Sequence, residues 1–139
     1  VHATVLPPPF SFRVVEMGFK ELAGARDYLR EDQNDGIITS AALMKKEPDK
    51  ARKFLRALTK AMRLIASNRE EAIKVLGKYT KQTSSILEKT YDFMVPTISE
   101  KISEKGIGAI HRYLIDNAVA PEGGDLKGFV DLRFLPRYR

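Results

Sequence analysis

The sequence predicts an α/β unit, predominantly helical with two or three short strands, that forms part of a larger fold. Two observations carry this. The chain opens on an apolar, β-branched stretch broken by three prolines, and from Ser40 onward apolar residues recur at three-and-four spacing through several helix-length segments. A sheet of two or three short strands leaves open edges and one uncovered face. Helices of this number therefore call for sheet supplied from elsewhere, with a compact α+β domain as the alternative.

Val1 to Leu6 suit a buried strand, and Pro7, Pro8 and Pro9 stop it. Proline is tolerated in a first helical turn, so a helix starts near Pro9, with Phe10, Val14 and Met17 on one face and Gly18 placed as its C-terminal cap. Phe19 to Ala25 reads as a second short strand. Arg26 to Gly36 is polar and ends in the turn signal Asn34-Asp35-Gly36, and Ile37 to Thr39 reads as a third strand. Ser40 to Lys46 makes a short helix. Glu47-Pro48-Asp49 opens a long one, with proline early and acid in the first turn. Ala51, Phe54, Leu55, Leu58, Met62 and Ile65 form its apolar stripe. Asn68 caps the next helix, which turns Ala72, Ile73, Leu76 and Tyr79 inward. Ser84 or Ser85 starts another, with Leu87, Thr90, Tyr91 and Met94 inward, and Pro96 ends it. The last helix runs from about Gly106 to Asn117 with Ile107, Ile110 and Leu114 inward. Pro121 to Gly124 is a loop, and Leu126 to Leu135 docks back.

Composition sets the class. At 139 residues the chain is long enough for one domain with a core. Its 43% hydrophobic and 30% charged residues are those of an ordinary globular protein, and no apolar run is long enough to span a bilayer. The chain begins at Val1 without a leader, so it reads as a processed product or a fragment. Cysteine is absent, which excludes disulfides and thiolate metal sites. The net charge of +6 suits nucleic acid, an anionic membrane or an anionic solute. The cations are interleaved with Glu and Asp throughout, so the surplus reads as a solvated basic surface. Arg133, Arg137 and Arg139 make the nearest thing to a basic tail.

Motifs that would carry chemistry are weak. His2 and His111 are isolated, with no ligand set at helical spacing. Glu70-Glu71 and Glu100 with Glu104 read as charged surface, not as acid–base pairs. Ser84-Ser85 lacks the glycines of a nucleophile elbow. Gly106-Ile107-Gly108 lacks a third glycine and a preceding strand. The row Lys53, Arg56, Lys60 and Arg63 has the spacing to track phosphates, but aromatics for base stacking are not interleaved with it, and it reads as a solvated helix face. No enzyme activity, cofactor, metal or nucleic-acid partner is expected. One local feature has binding chemistry. Pro7 to Phe10 joins a strand end to a helix start, where free N–H groups attract anions. The prolines remove some of those donors while fixing the loop's shape, so a preorganised pocket and a rigid structural turn stand as equal readings.

Several pieces are fairly specific in their order and spacing. They are Ala3-Thr4-Val5-Leu6-Pro7-Pro8-Pro9-Phe10, Gly18-Phe19-Lys20-Glu21-Leu22-Ala23, Gly36-Ile37-Ile38-Thr39-Ser40, the run from Glu47 to Leu58, Asn68-Arg69-Glu70-Glu71-Ala72, and Val130-Asp131-Leu132-Arg133-Phe134-Leu135. Together they resemble the C-terminal half of solute-binding proteins of ABC importers, of the nitrate–sulfonate–taurine and thiamine-precursor type. The resemblance implies a two-lobed, periplasmic-binding-protein-like fold with ligand held between the lobes. It assigns residues 1–34 to the end of the smaller lobe and residues 35–139 to the larger one. It brings the loop with Pro8, Pro9 and Phe10 near the cleft, and makes the crossover with Asn34, Gly36 and Thr39 a ligand-side hinge, of the kind that absorbs backbone rotation on closure. Family members are longer, so the chain is expected to lack the N-terminal half and most of the cleft.

The expected function is thus the extracytoplasmic or periplasmic small-solute-binding component of an ABC import system, or a piece of it. Its partners would be a small organic solute, the ABC permease, and the N-terminal half of the same protein or a second copy of the chain. A self-contained helical interaction module docking through its basic helix is the first alternative. A thiamine-precursor-synthesis enzyme is the second, although its Cys-rich segment has no counterpart here.

Overall fold

A computed structural model describes residues 2–28, 33, 35–123, 126 and 130–136. Seven α-helices occur among them: α1 (Phe10–Glu16), α2 (Ala25–Tyr28), α3 (Ala41–Lys46), α4 (Pro48–Ser67), α5 (Arg69–Thr80), α6 (Ser84–Met94) and α7 (Glu104–Asp116). Two 3₁₀ turns, Val95–Thr97 and Leu132–Phe134, follow α6 and close the chain's described end. The expectation of a largely helical chain holds.

The expected strands do not form. Among the described residues there is no β-strand, and residues 2–6, 19–24 and 37–39 are coil. A strand exists only through its ladder with a neighbour. These segments have strand-like composition but form no ladder among the described residues, and they expose their apolar side chains, with Val5 at 94% and Ile38 at 92%.

Helix ends follow the capping chemistry of the sequence. The hydroxyl of Ser40 accepts from the Leu43 amide at 3.1 Å, the side chain of Asn68 from Glu71 at 3.2 Å, and that of Ser103 from Gly106 at 3.0 Å. Each satisfies a donor that has no partner inside its helix. Pro48 opens α4, and Pro96 falls in the 3₁₀ turn that follows α6. Gly18, just beyond α1, has φ of +93°, a conformation open to glycine without steric cost.

The chain divides into two compact units. The first comprises Val1–Gly24 and Lys60–Ser99, the second Ala25–Thr59 and Glu100–Arg139. In the first unit α6 is the hub. Ile86, Leu87 and Thr90 are buried on it, and the Thr90 hydroxyl donates to the Ile86 carbonyl at 2.7 Å. α5 approaches it closely at Gly77, where a Cβ would stand 3.0 Å from Leu87 Cδ1. α1 reaches it through an edge-to-face pair of Phe12 and Phe93, with centroids 5.7 Å apart. Glu16 adds to this contact by accepting from Ser85 Oγ at 3.1 Å and Lys89 Nζ at 3.3 Å. The Tyr91 hydroxyl donates to the Ile65 carbonyl at 2.8 Å, tying α6 to the end of α4. The Arg69 guanidinium bonds Asp92 at 3.2 and 3.3 Å and lies over the Tyr91 ring.

Helix faces agree with the spacing in part. On α4, Ala51, Leu55, Leu58, Met62 and Ile65 are half-buried, but Phe54 is exposed and Thr59 is the buried residue. On α5, Tyr79 is exposed, and Gly77 and Thr80 take its place beside Ile73 and Leu76. On α6, Met94 is exposed, and Ile86 joins the buried face. On α7, Ile110 is exposed, while Gly106 is buried and Ile107, His111 and Leu114 are half-buried.

Candidate functional site

The residues that sequence reasoning put near a ligand fall in both units. Pro8, Pro9 and Phe10 belong to the first, Gly36 and Thr39 to the second, and Asn34 lies outside the described residues. Pro9 is buried, Pro8 half-buried and Phe10 exposed. The Pro7 carbonyl accepts from the amides of Phe10 at 3.0 Å and Ser11 at 3.2 Å. The first two N–H groups of α1 are therefore turned back onto the loop, and the three prolines offer none. The geometry is that of a closed, rigid turn carrying an exposed aromatic ring. Gly36 and Thr39 lie in exposed coil that leads to the Ser40 cap of α3.

A different set of residues builds a concave site in the second unit. A groove of about 280 Å³ is lined by Arg52, Arg56, Arg133, Phe134, Leu135 and Pro136. Arg52 and Arg56 stand four residues apart on α4, so they share one face of the helix. Phe134 is buried at the end of the Leu132–Phe134 turn. The Arg52 guanidinium lies 5.3 Å from the centroid of its ring and that of Arg133 lies 5.9 Å away. Both distances are within the range in which a cation is attracted to an aromatic face.

Local carboxylates hold two of the three arginines. Asp131 takes Arg133 in a two-pronged pair, accepting from Nε at 2.9 Å and from the terminal nitrogen at 2.7 Å. The same carboxylate caps the turn by accepting from the Arg133 amide at 3.1 Å. These bonds from Arg133 favour the charged form and pull the Asp131 carboxyl from its ordinary 3.8 down to about 2. Asp49 accepts from Arg52 at 2.9 Å. The Arg56 guanidinium has no ion pair with any described residue, so it is the uncompensated charge of the groove.

Such a site offers a planar fork of donors for an oxyanion, beside an apolar wall of Phe134, Leu135 and Pro136. The row on α4 is solvated as expected, with Lys53, Arg56, Lys60 and Arg63 all exposed, but the sequence reading does not bring Arg56 together with Arg133. It put Arg56 in a solvated row with Lys53, Lys60 and Arg63, and Arg133 in a basic tail. The signals that could have found the groove are the four-residue spacing of Arg52 and Arg56 and the Asp131-Leu132-Arg133-Phe134 turn. Among the described residues no three His, Asp or Glu are placed to hold a metal ion, and no helix is long and apolar enough to cross a membrane.

Residues 22–72 match the family model described as NMT1/THI5 like. Over that stretch the chain resembles a family of nitrate/sulfonate/taurine-type solute-binding proteins. The matched stretch is less than half of the chain. It takes in α2, α3, α4 and the start of α5, and so Gly36, Thr39, Arg52 and Arg56, but neither the proline turn nor Arg133. Neither curated proteins nor solved structures yield a match to the chain.

Proposed function

We propose that the chain is a small-solute-binding component of an ABC import system, or the C-terminal part of one, working outside the cytoplasm. The observation that carries this reading is the match of residues 22–72 to the NMT1/THI5-like family, whose members are mostly substrate-binding proteins. The run from α2 through α4 to the start of α5 is the segment on which the match falls. In this reading residues 1–34 close the smaller lobe and residues 35–139 return to the larger one. Pro8, Pro9 and Phe10 then stand at the cleft, and Asn34, Gly36 and Thr39 at the hinge. The exposed side chains of Val5, Phe19, Leu22 and Ile38 support the further expectation of a covering partner, either the N-terminal half or a second copy. The permease is the partner for delivery.

A thermal-shift and calorimetric screen with nitrate, taurine, short alkanesulfonates and an aminopyrimidine tests the reading. One of these is expected to raise the melting temperature saturably, more strongly once the N-terminal half is supplied. No shift with any of them in either setting would overturn it. The exposed row of Lys53, Arg56, Lys60 and Arg63 on α4 favours the second reading, a helical module that docks an acidic partner.

A further inference from the structure

The groove on the second unit is not among the positions that the solute-binding reading uses. We propose that it is a binding site for a small aromatic oxyanion, a phosphate or carboxylate group carried on a single apolar ring, with Arg56 as the principal anion-binding residue.

Charge decides where the anion goes. Three guanidinium groups line the groove, and two carboxylates are engaged with them: Asp131 on Arg133 and Asp49 on Arg52. One positive charge is left over, on Arg56. An arriving oxyanion can meet the Arg56 fork in two parallel bonds without displacing a protein carboxylate. Arg52 gives one donor to Asp49 and Arg133 gives two to Asp131, so both charges are locally offset and these residues serve differently. Both lie over Phe134 and fix its surroundings as a cationic rim. Positional order at that rim comes from the two-pronged bond of Arg133 to Asp131, which itself is tied to the backbone of the same turn.

The size and lining of the groove set the rest of the ligand. About 280 Å³ is at the small end of ligand pockets. That volume suits a head group and one ring. Phe134, Leu135 and Pro136 supply an apolar wall, so a ring attached to the oxyanion covers surface that a bare inorganic ion leaves wet. A long acidic peptide or a nucleic acid strand would instead require a basic track beyond the groove. Exposed cations do continue along α4 at Lys53, Lys60 and Arg63, but the apolar wall is confined to Phe134, Leu135 and Pro136 at the groove, which favours a ring-bearing anion there over an extended strand.

Titration calorimetry with phenyl phosphate, benzoate and inorganic phosphate, at low and at moderate salt, tests the proposal. Phenyl phosphate is expected to bind saturably with one site, benzoate similarly, and inorganic phosphate several-fold more weakly. Arg56→Ala and Arg56→Gln should each weaken phenyl phosphate about tenfold or more, the usual effect of losing hydrogen bonds to a charged group. Arg56→Lys should lie between, because it keeps the charge and loses the fork. Lys60→Ala, on the same helix outside the groove, should change nothing beyond twofold. Arg56 is exposed, so unchanged melting temperatures are expected for all four variants and keep the comparison clean. Wild-type affinity in both Arg56→Ala and Arg56→Gln would overturn the proposal. So would inorganic phosphate binding as tightly as phenyl phosphate, or no saturable binding of any probe.

Discussion

The contact between Gly77 of α5 and Leu87 of α6 should appear as a measurable coupling between the two positions. A Cβ on residue 77 would stand 3.0 Å from Leu87 Cδ1, closer than side-chain carbons normally approach, and Leu87 is only 7% exposed with little room to give. Gly77→Ala gains about 1 kcal/mol of helix propensity. Against this, overpacking at such a contact costs about 1–3 kcal/mol, so the single variant should be neutral to destabilising by about 2 kcal/mol. Leu87→Ala removes a buried side chain and should cost about 2–5 kcal/mol. The lower half of that range is the expectation, because the core around α6 is small and can collapse onto the space. In the Leu87→Ala background the clash is gone, and Gly77→Ala should then stabilise by its full propensity gain. The difference between its two effects, about 1–3 kcal/mol, is the coupling energy. Urea denaturation followed by far-ultraviolet circular dichroism gives all four corners of the cycle. Leu87→Val, which also lacks the δ carbon, replaces Leu87→Ala should the latter unfold. Additivity of the two substitutions to within about 0.5 kcal/mol would refute the close approach of α5 to α6.

Three further outcomes follow from the structure. Asn68→Ala should lower stability by about 1 kcal/mol through loss of the cap on α5, and Asn68→Asp should keep most of it, both read by urea midpoints. Asp131 has a folded-state value of about 2, below its ordinary 3.8, so its contribution is present above that ordinary value and is lost as pH falls through about 2. Its carboxyl carbon should accordingly titrate near 2 by NMR, returning toward the ordinary value in Arg133→Gln. Hydrogen exchange of the isolated chain should show unprotected amides at 37–39 and strong protection at 86–90 on α6, and slow exchange at 37–39 would mean that this segment is paired after all.

What could be read from the sequence was local. Ser40, Pro48 and Asn68 act at their helix starts as their chemistry dictates, because a cap is a bond between residues two or three positions apart. Gly18 likewise declares its own backbone conformation. Helix faces were legible to within one position. Tyr79 lies one step off the inward stripe of α5, and the structure fills that stripe with Gly77 and Thr80, whose small size lets the helices approach. Periodicity counts large apolar residues and so passes over a glycine contact. The strands failed for a non-local reason. Val5 and Ile38 have the composition of strand residues, but a ladder needs a partner that a composition cannot supply. The arginine groove was legible only in halves, for the same reason. It joins Arg52 and Arg56 of α4 to a turn near residue 134, and nothing in either stretch alone announces the other.

The basic surplus of the chain also has a spatial meaning that a count conceals. Cations and acids alternate along the sequence, which suggests a surface without a focus. In the structure much of that alternation cancels locally. Lys50 pairs with Glu47, Arg52 with Asp49, Lys74 with Glu71, and Arg133 with Asp131, each partner two or three residues away. Such exposed pairs contribute at most about 1 kcal/mol each to stability. Their larger consequence is to decide which charges remain. Arg56 shows no ion pair with a described residue and lines the groove with Phe134, the only buried aromatic ring among the described residues. The net charge of +6 therefore says less about partners than the position of the one guanidinium in the groove that local pairing leaves open.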